Sequence, residues 1–209
     1  SAIDFWDGYQ NSSITIKGTK IYSNENDSTL IRIRETGLVV FEGNEIADNK
    51  NATVYMERLY GNVSFKGNTF NNNRGGGIQF ERAYGDANLP RSITVENNTI
   101  SSGQYYSGNI SVNYFRDGSE ILIQNNTIET RGSGIYLRDD ENNTANVLGN
   151  TIKGTQNDGT GIEVYGKSKP VIKNNTVEGK YHGIVVDYND VNGDGSSTIT
   201  GNVIKNNSN

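Results

Sequence analysis

The chain has no cysteine, two prolines, one methionine, one tryptophan and one histidine in 209 residues. Without cysteine there is no disulfide framework and no thiol chemistry. No apolar run approaches the roughly 20 residues that a membrane-spanning helix needs. The 3.6-residue period of an amphipathic helix is missing throughout. Positive charge is scarce as well: 19 Lys and Arg stand against 24 Asp and Glu, and the net charge is −5. No basic stripe of the kind a nucleic-acid partner requires is present. Apolar residues make up only 33%, a low share for a compact globule. A coil of stacked strands tolerates it, because each turn sends few side chains inward.

What the chain does have is a phrase that returns eight times: a β-rich run, then Gly-Asn or Asn-Asn, one residue, and an apolar residue. It reads SITIKGTKI, LVVFEGNEI, NVSFKGNTF, SITVENNTI, EILIQNNTI, ANVLGNTI, PVIKNNTV and STITGNVI. The closing residues are Ile21, Ile46, Phe70, Ile100, Ile128, Ile152, Val177 and Ile204, at spacings of 25, 24, 30, 28, 24, 25 and 27. A period in the twenties means stacked units, each too small to bury its own apolar face.

Two residues before the Gly/Asn-Asn pair stands an apolar column: Ile16, Phe41, Phe65, Val95, Ile123, Val147, Ile172 and Ile199. A second, mostly apolar column lies two residues earlier, as one face of a strand demands. The residue just before the pair is mostly polar and faces outward. The Asn that follows recurs at 44, 68, 98, 126, 150, 175 and 202, and amides stacked in register can hydrogen-bond along the axis. A second strand follows roughly ten residues later in most rungs, with inward pairs such as Ile31/Ile33, Val54/Met56, Ile78/Phe80 and Ile135/Leu137.

These repeats resemble the right-handed parallel β-helix superfamily, the pectate-lyase-like group that includes NosD-type carbohydrate-binding and sugar-hydrolase repeats. The resemblance covers residues 12–206. It implies an all-β, right-handed parallel β-helix of about eight rungs with an Asn-rich turn ladder. Residues 1–209 read as one domain, with 1–11 as an N-terminal cap and a C-terminal end cut from a larger protein. The family resemblance further implies a polysaccharide or cell-surface glycan as partner, an extracellular or cell-surface location and an arrangement as a homotrimer. A cell-surface polysaccharide depolymerase is one such relative.

The outward residues of the second strand form two columns. The first is Arg32, Tyr55, Gln79, Ser111, Tyr136, Glu163 and Val185; the second is Arg34, Glu57, Glu81, Asn113, Arg138, Tyr165 and Asp187. Beyond them lie Glu35, Arg58, Arg82, Tyr114, Asp139, Asp140 and Tyr188. Aromatic faces cover the C–H patches of sugar rings, while carboxylates and guanidinium groups take the hydroxyls. The expected substrate-binding set is Arg34, Tyr55, Arg58, Arg82, Asn113, Tyr114, Tyr136, Arg138, Tyr165 and Tyr188. The expected catalytic carboxylates are Glu57, Glu81, Asp139, Asp140 and Asp187, with Glu57 and Glu81 on adjacent rungs as acid and nucleophile of a glycoside hydrolase. A salt-bridged, solvated flank is the competing reading, and it makes the chain a structural or adhesin segment.

Asp139 and Asp140 resemble the paired aspartates of polygalacturonase-type β-helix hydrolases, and His182-Gly183 is similar to that family's Gly-His-Gly. That family's Asn-Thr-Asp and Arg-Ile-Lys motifs are missing from the expected places, so its mechanism does not transfer. Asp190, Asn192 and Asp194 match the first half of a calcium loop, although Gly201 stands where a bidentate acid belongs. Ca2+ is thus the one cofactor the sequence suggests, and with it a calcium-dependent polysaccharide lyase as a further alternative.

Overall fold

The structure is a computed structural model that describes residues 1–25, 29–81, 91–102, 108–113, 119–139, 143–167, 169–187 and 196–209. Its architecture is an all-β parallel solenoid of about seven turns. Each turn has three straight segments, where the repeat phrase suggests two. The first face carries the two outward columns in strands such as Val54–Glu57, Ile78–Glu81, Ile110–Asn113 and Ile135–Asp139. The second face holds the repeat phrase, as in Val63–Lys66 and Ser119–Gln124. The third face is a sheet of eight short strands running from Lys20–Tyr22 to Val203–Lys205.

That third face escapes a periodicity search because several of its strands are only three residues long. One apolar residue between two polar ones leaves no alternation to detect. Ile21, Ile46, Phe70, Ile100, Ile128, Ile152 and Val177 are the buried apolar residues of this face. The first two faces count as a single sheet because Ile3–Lys17 and Ile31–Glu42 each run through both. Residues 3–6 pair with 31–34 and so join the first face as another strand.

Inside, the predicted inward columns are buried from Val39 to Ile172. Strands covered in this way bury apolar side chains at every level and hold parallel pairing, which is rare on exposed sheets. The Phe41 and Phe65 rings stack at 4.7 Å, and Phe80 meets Phe65 edge-on at 6.0 Å. The column ends in the last turn, where Ile199 and Ile204 are exposed.

The corner between the second and third faces needs a left-handed residue in every turn. Gly18, Gly43, Gly67, Asn97, Asn125, Gly149, Asn174 and Gly201 supply it, with φ between 54° and 65°. Glycine adopts that region freely, and asparagine more readily than other residues do. The next residue is the predicted Asn, and it is buried at 44, 68, 98, 126, 150 and 175. Each amide nitrogen donates to the amide oxygen of the next Asn, from Asn44 onward to Asn202, at 2.9 to 3.0 Å. It also donates to a backbone carbonyl of the preceding turn, as Asn98 does to Phe65. The ladder thus satisfies backbone groups that the tight corner leaves without strand partners.

A second ladder, with no counterpart in the repeat phrase, runs through the corner between the third and first faces. Asn24 donates to Asn49, and Asn49 to Asn73. Further along, Lys180 takes over. Its side chain is fully buried, and its Nζ donates to the carbonyl oxygens of Thr130 and Gly132.

Burial pushes the Lys180 ammonium down from 10.5 to about 8, partly offset by the charge of Asp158. Between those two values the folded chain has released a proton that the unfolded chain still holds, so stability rises with pH across the interval. Urea melts at a series of pH values are expected to show that gain, at most about 3 kcal/mol. In Lys180→Met the slope assigned to this residue disappears. An unchanged slope in the variant would place the titrating group elsewhere.

Candidate functional site

Parallel pairing places the second outward column in one continuous row. Arg34 is registered with Glu57, Glu57 with Glu81, Glu81 with Asn113, Asn113 with Arg138, Arg138 with Tyr165, and Tyr165 with Asp187. The first column is registered in the same way, from Arg32 through Tyr55, Gln79, Ser111, Tyr136 and Glu163 to Val185. Side chains from residues more than 150 positions apart therefore share one flank, because a period-two strand repeats its outward positions at each level.

Contacts within the row fix several of these groups. Arg58 Nε lies 3.4 Å from Glu57 Oε1. Asn113 Nδ2 donates to Glu81 Oε2 at 3.4 Å. The Tyr165 hydroxyl donates to Glu163 Oε1 at 2.7 Å, and Ser133 Oγ donates to the other oxygen at 3.2 Å. The hydrogen bond to Glu163 and burial push the Tyr165 phenol up to about 12, so it remains a donor through the working pH range. The Tyr136 and Tyr165 rings meet at 5.8 Å, tilted by 44°.

Like charges in direct register set this flank apart. On the second face Lys17, Glu42, Lys66 and Glu96 alternate in sign, with ion pairs of 2.7 Å for Lys17–Glu42 and 2.9 Å for Lys66–Glu96. On the third face Glu129, Lys153, Glu178 and Lys205 alternate too. Among the described residues, each directly registered pair of charged side chains joins opposite signs, except Glu57 and Glu81. Like charges opposite one another on strands destabilise the sheet.

Asp187, another of the expected acids, stands apart from that pair. Asp187 is four strands beyond Glu81, roughly 19 Å away. The backbone of Asp139 pairs with Gly166, one position outside the row. Arg82, Tyr114, Asp140, Tyr188 and the calcium-loop residues Asp190, Asn192 and Asp194 lie outside the described residues. Among the described residues no three His, Asp or Glu side chains cluster as a metal site, and no helix is long and apolar enough to cross a membrane.

Sequence reasoning missed the start of the row. Trp6 is registered with Arg34, and Asp4 with Arg32. Two register shifts, between Trp6 and Tyr9 and between Tyr9 and Ser13, break the spacing there. Counting along the repeat therefore does not reach Trp6. Its Nε1 donates to Glu35 Oε2 at 2.9 Å, and Arg58 Nη1 reaches Glu35 Oε1 at 2.7 Å. The Trp6 hydrogen bond, joined by Arg58, holds the Glu35 carboxyl below its ordinary value of 4.5.

A three-faced stack of parallel strands with one flank of acids, guanidinium groups and tyrosines defines a decorated β-solenoid. A family model described as a right handed beta helix region matches residues 2–113 and 83–209, and the chain belongs to that family. No curated protein and no solved structure matches it.

Proposed function

We propose that the first face binds an extended polysaccharide along the solenoid axis and that Glu57 and Glu81 hydrolyse it. The observation that carries this reading is the like-charge register of Glu57 and Glu81, where the other directly registered pairs of charged side chains among the described residues join opposite signs. A stability cost kept at one place, on the flank with the tyrosines and arginines, fits a site better than a solvated surface. Adjacent parallel strands lie about 4.8 Å apart, close to the roughly 5 to 5.5 Å between carboxyl groups of retaining glycosidases.

In the proposed reaction one carboxylic acid protonates the leaving glycosidic oxygen while the other carboxylate attacks the anomeric carbon. The C–O bond breaks and a glycosyl ester forms. Water, deprotonated by the first residue, then displaces the ester and restores both groups. Tyr136, Tyr165 and Arg138 would hold sugar units further along the row. An extracellular or cell-surface setting follows from such a substrate.

A polysaccharide digestion screen with reducing-end detection, run with and without chelator, tests this. Glu57→Gln and Glu81→Gln are each expected to lower turnover at least about a hundredfold while retaining glycan binding. Unchanged turnover and binding in both variants would make the flank structural. Activity that disappears with chelator and survives both substitutions would turn the assignment toward calcium-dependent elimination.

A further inference from the structure

The start of the row holds the most exposed large aromatic side chain of the described residues, and that side chain is also tightly held. Trp6 is 65% exposed. Its indole N–H is tied to Glu35, and the Arg34 guanidinium lies over the ring at 5.1 Å from its centroid. Arg34 is itself fixed by Asp4 at 3.3 Å. Glu35 and Arg58 both adopt left-handed backbone, with φ of 54°, a conformation that neither residue type favours. The strained pair sets Glu35 at the indole N–H and Arg58 on the far oxygen of Glu35. An exposed tryptophan on a plain surface has no need of such support.

We infer that Trp6 is a sugar-stacking platform at one end of the polysaccharide-binding face, a subsite that takes the apolar face of a pyranose ring. The inference rests on the proposed function of that face. A ring with one side backed by a cation and its edge hydrogen-bonded is preorganised, so little rotamer freedom is lost when a ligand stacks on it. Register sets the distance to the reacting pair. Trp6 is two strands from Glu57 and three from Glu81, roughly 10 and 14 Å. Such a span calls for a chain of several sugar units, and a disaccharide at Glu57 and Glu81 falls short of the platform.

Trp6 is the only tryptophan of the chain, so its emission reports on this position alone. The test titrates the full chain with a neutral β-1,4-glucan hexasaccharide, a galacturonate hexasaccharide and the matching disaccharides. Emission and calorimetry are followed in parallel. A hexasaccharide that binds is expected to shift the emission to the blue. Trp6→Ala is expected to weaken its binding about tenfold, and Trp6→Phe no more than about threefold. Disaccharide binding should be unchanged in both variants. Hexasaccharide binding by calorimetry with unmoved emission and an unaltered Trp6→Ala affinity overturns the platform and leaves the face intact. Absence of binding by either hexasaccharide overturns both.

Discussion

Replacing Asn98 by alanine is expected to cost about 4 kcal/mol of unfolding free energy. Asn98 lies in the middle of the ladder and is buried. Its oxygen accepts the backbone N–H and the amide of Asn68, each at 2.9 Å. Its own amide donates to Phe65 O at 3.1 Å and to Asn126 Oδ1 at 3.0 Å. Alanine removes all four bonds, orphans the buried Asn68 backbone N–H and leaves the Asn68 and Asn126 amides each short of a partner. Each such group costs about 1 to 3 kcal/mol when water cannot reach it. Asn202 makes three of these four bonds at the other end of the ladder, to Asn175 and Ile172, but is half-buried. There water replaces the lost partners, and Asn202→Ala is expected to cost about 1 kcal/mol. Urea denaturation of the two variants measures the difference. Equal costs at both positions would mean that burial does not set the strength of the ladder.

Gly154→Ala is expected to be the second severe substitution, costing at least about 3 kcal/mol. A Cβ at this position would run into the Gly179 carbonyl of the next turn and crowd Lys180 Cδ at 2.8 Å. Backbone cannot give way here as a flexible side chain would, because the turns are held together by inter-strand hydrogen bonds. Lys180 would also lose the path along which it reaches the Thr130 and Gly132 carbonyls. Gly43 is the contrasting case. Its φ is 62° and an added Cβ there meets nothing within 4 Å. Gly43→Ala therefore bears only the left-handed strain, about 1 to 2 kcal/mol. Thermal and urea unfolding of both variants, with proteolysis as a check on local opening, would rank the two costs. A Gly154 variant no less stable than the Gly43 variant would refute the close approach of the turns.

Much of this was legible because a solenoid converts sequence position into spatial position with little remainder. Once the Asn at 44, 68, 98, 126, 150 and 175 is seen to recur, pairing follows from equal phase in the repeat. The outward row from Arg34 to Asp187 could then be written down residue by residue, and the strand register reproduces it. Three features lay beyond that reading. The third face has strands too short to show alternation. Trp6 lies behind two register shifts that break the count. Lys180 holds the place that Asn24, Asn49 and Asn73 hold in their turns, but its long side chain crosses Gly154 to bond a turn two levels away, a reach that no phase in the repeat announces.

Sequence alone determined that this chain coils, which residues turn inward, and where amides stack, because those properties repeat with the period of the coil. Tertiary structure decided what happens between neighbouring levels. It brought Lys17 to Glu42, Lys66 to Glu96 and Arg58 to Glu57 and Glu35, and it fixed an indole beside Arg34 and Glu35. Contacts of that kind depend on side-chain reach, local bulges and the distance between strands, and none of these is periodic in the chain.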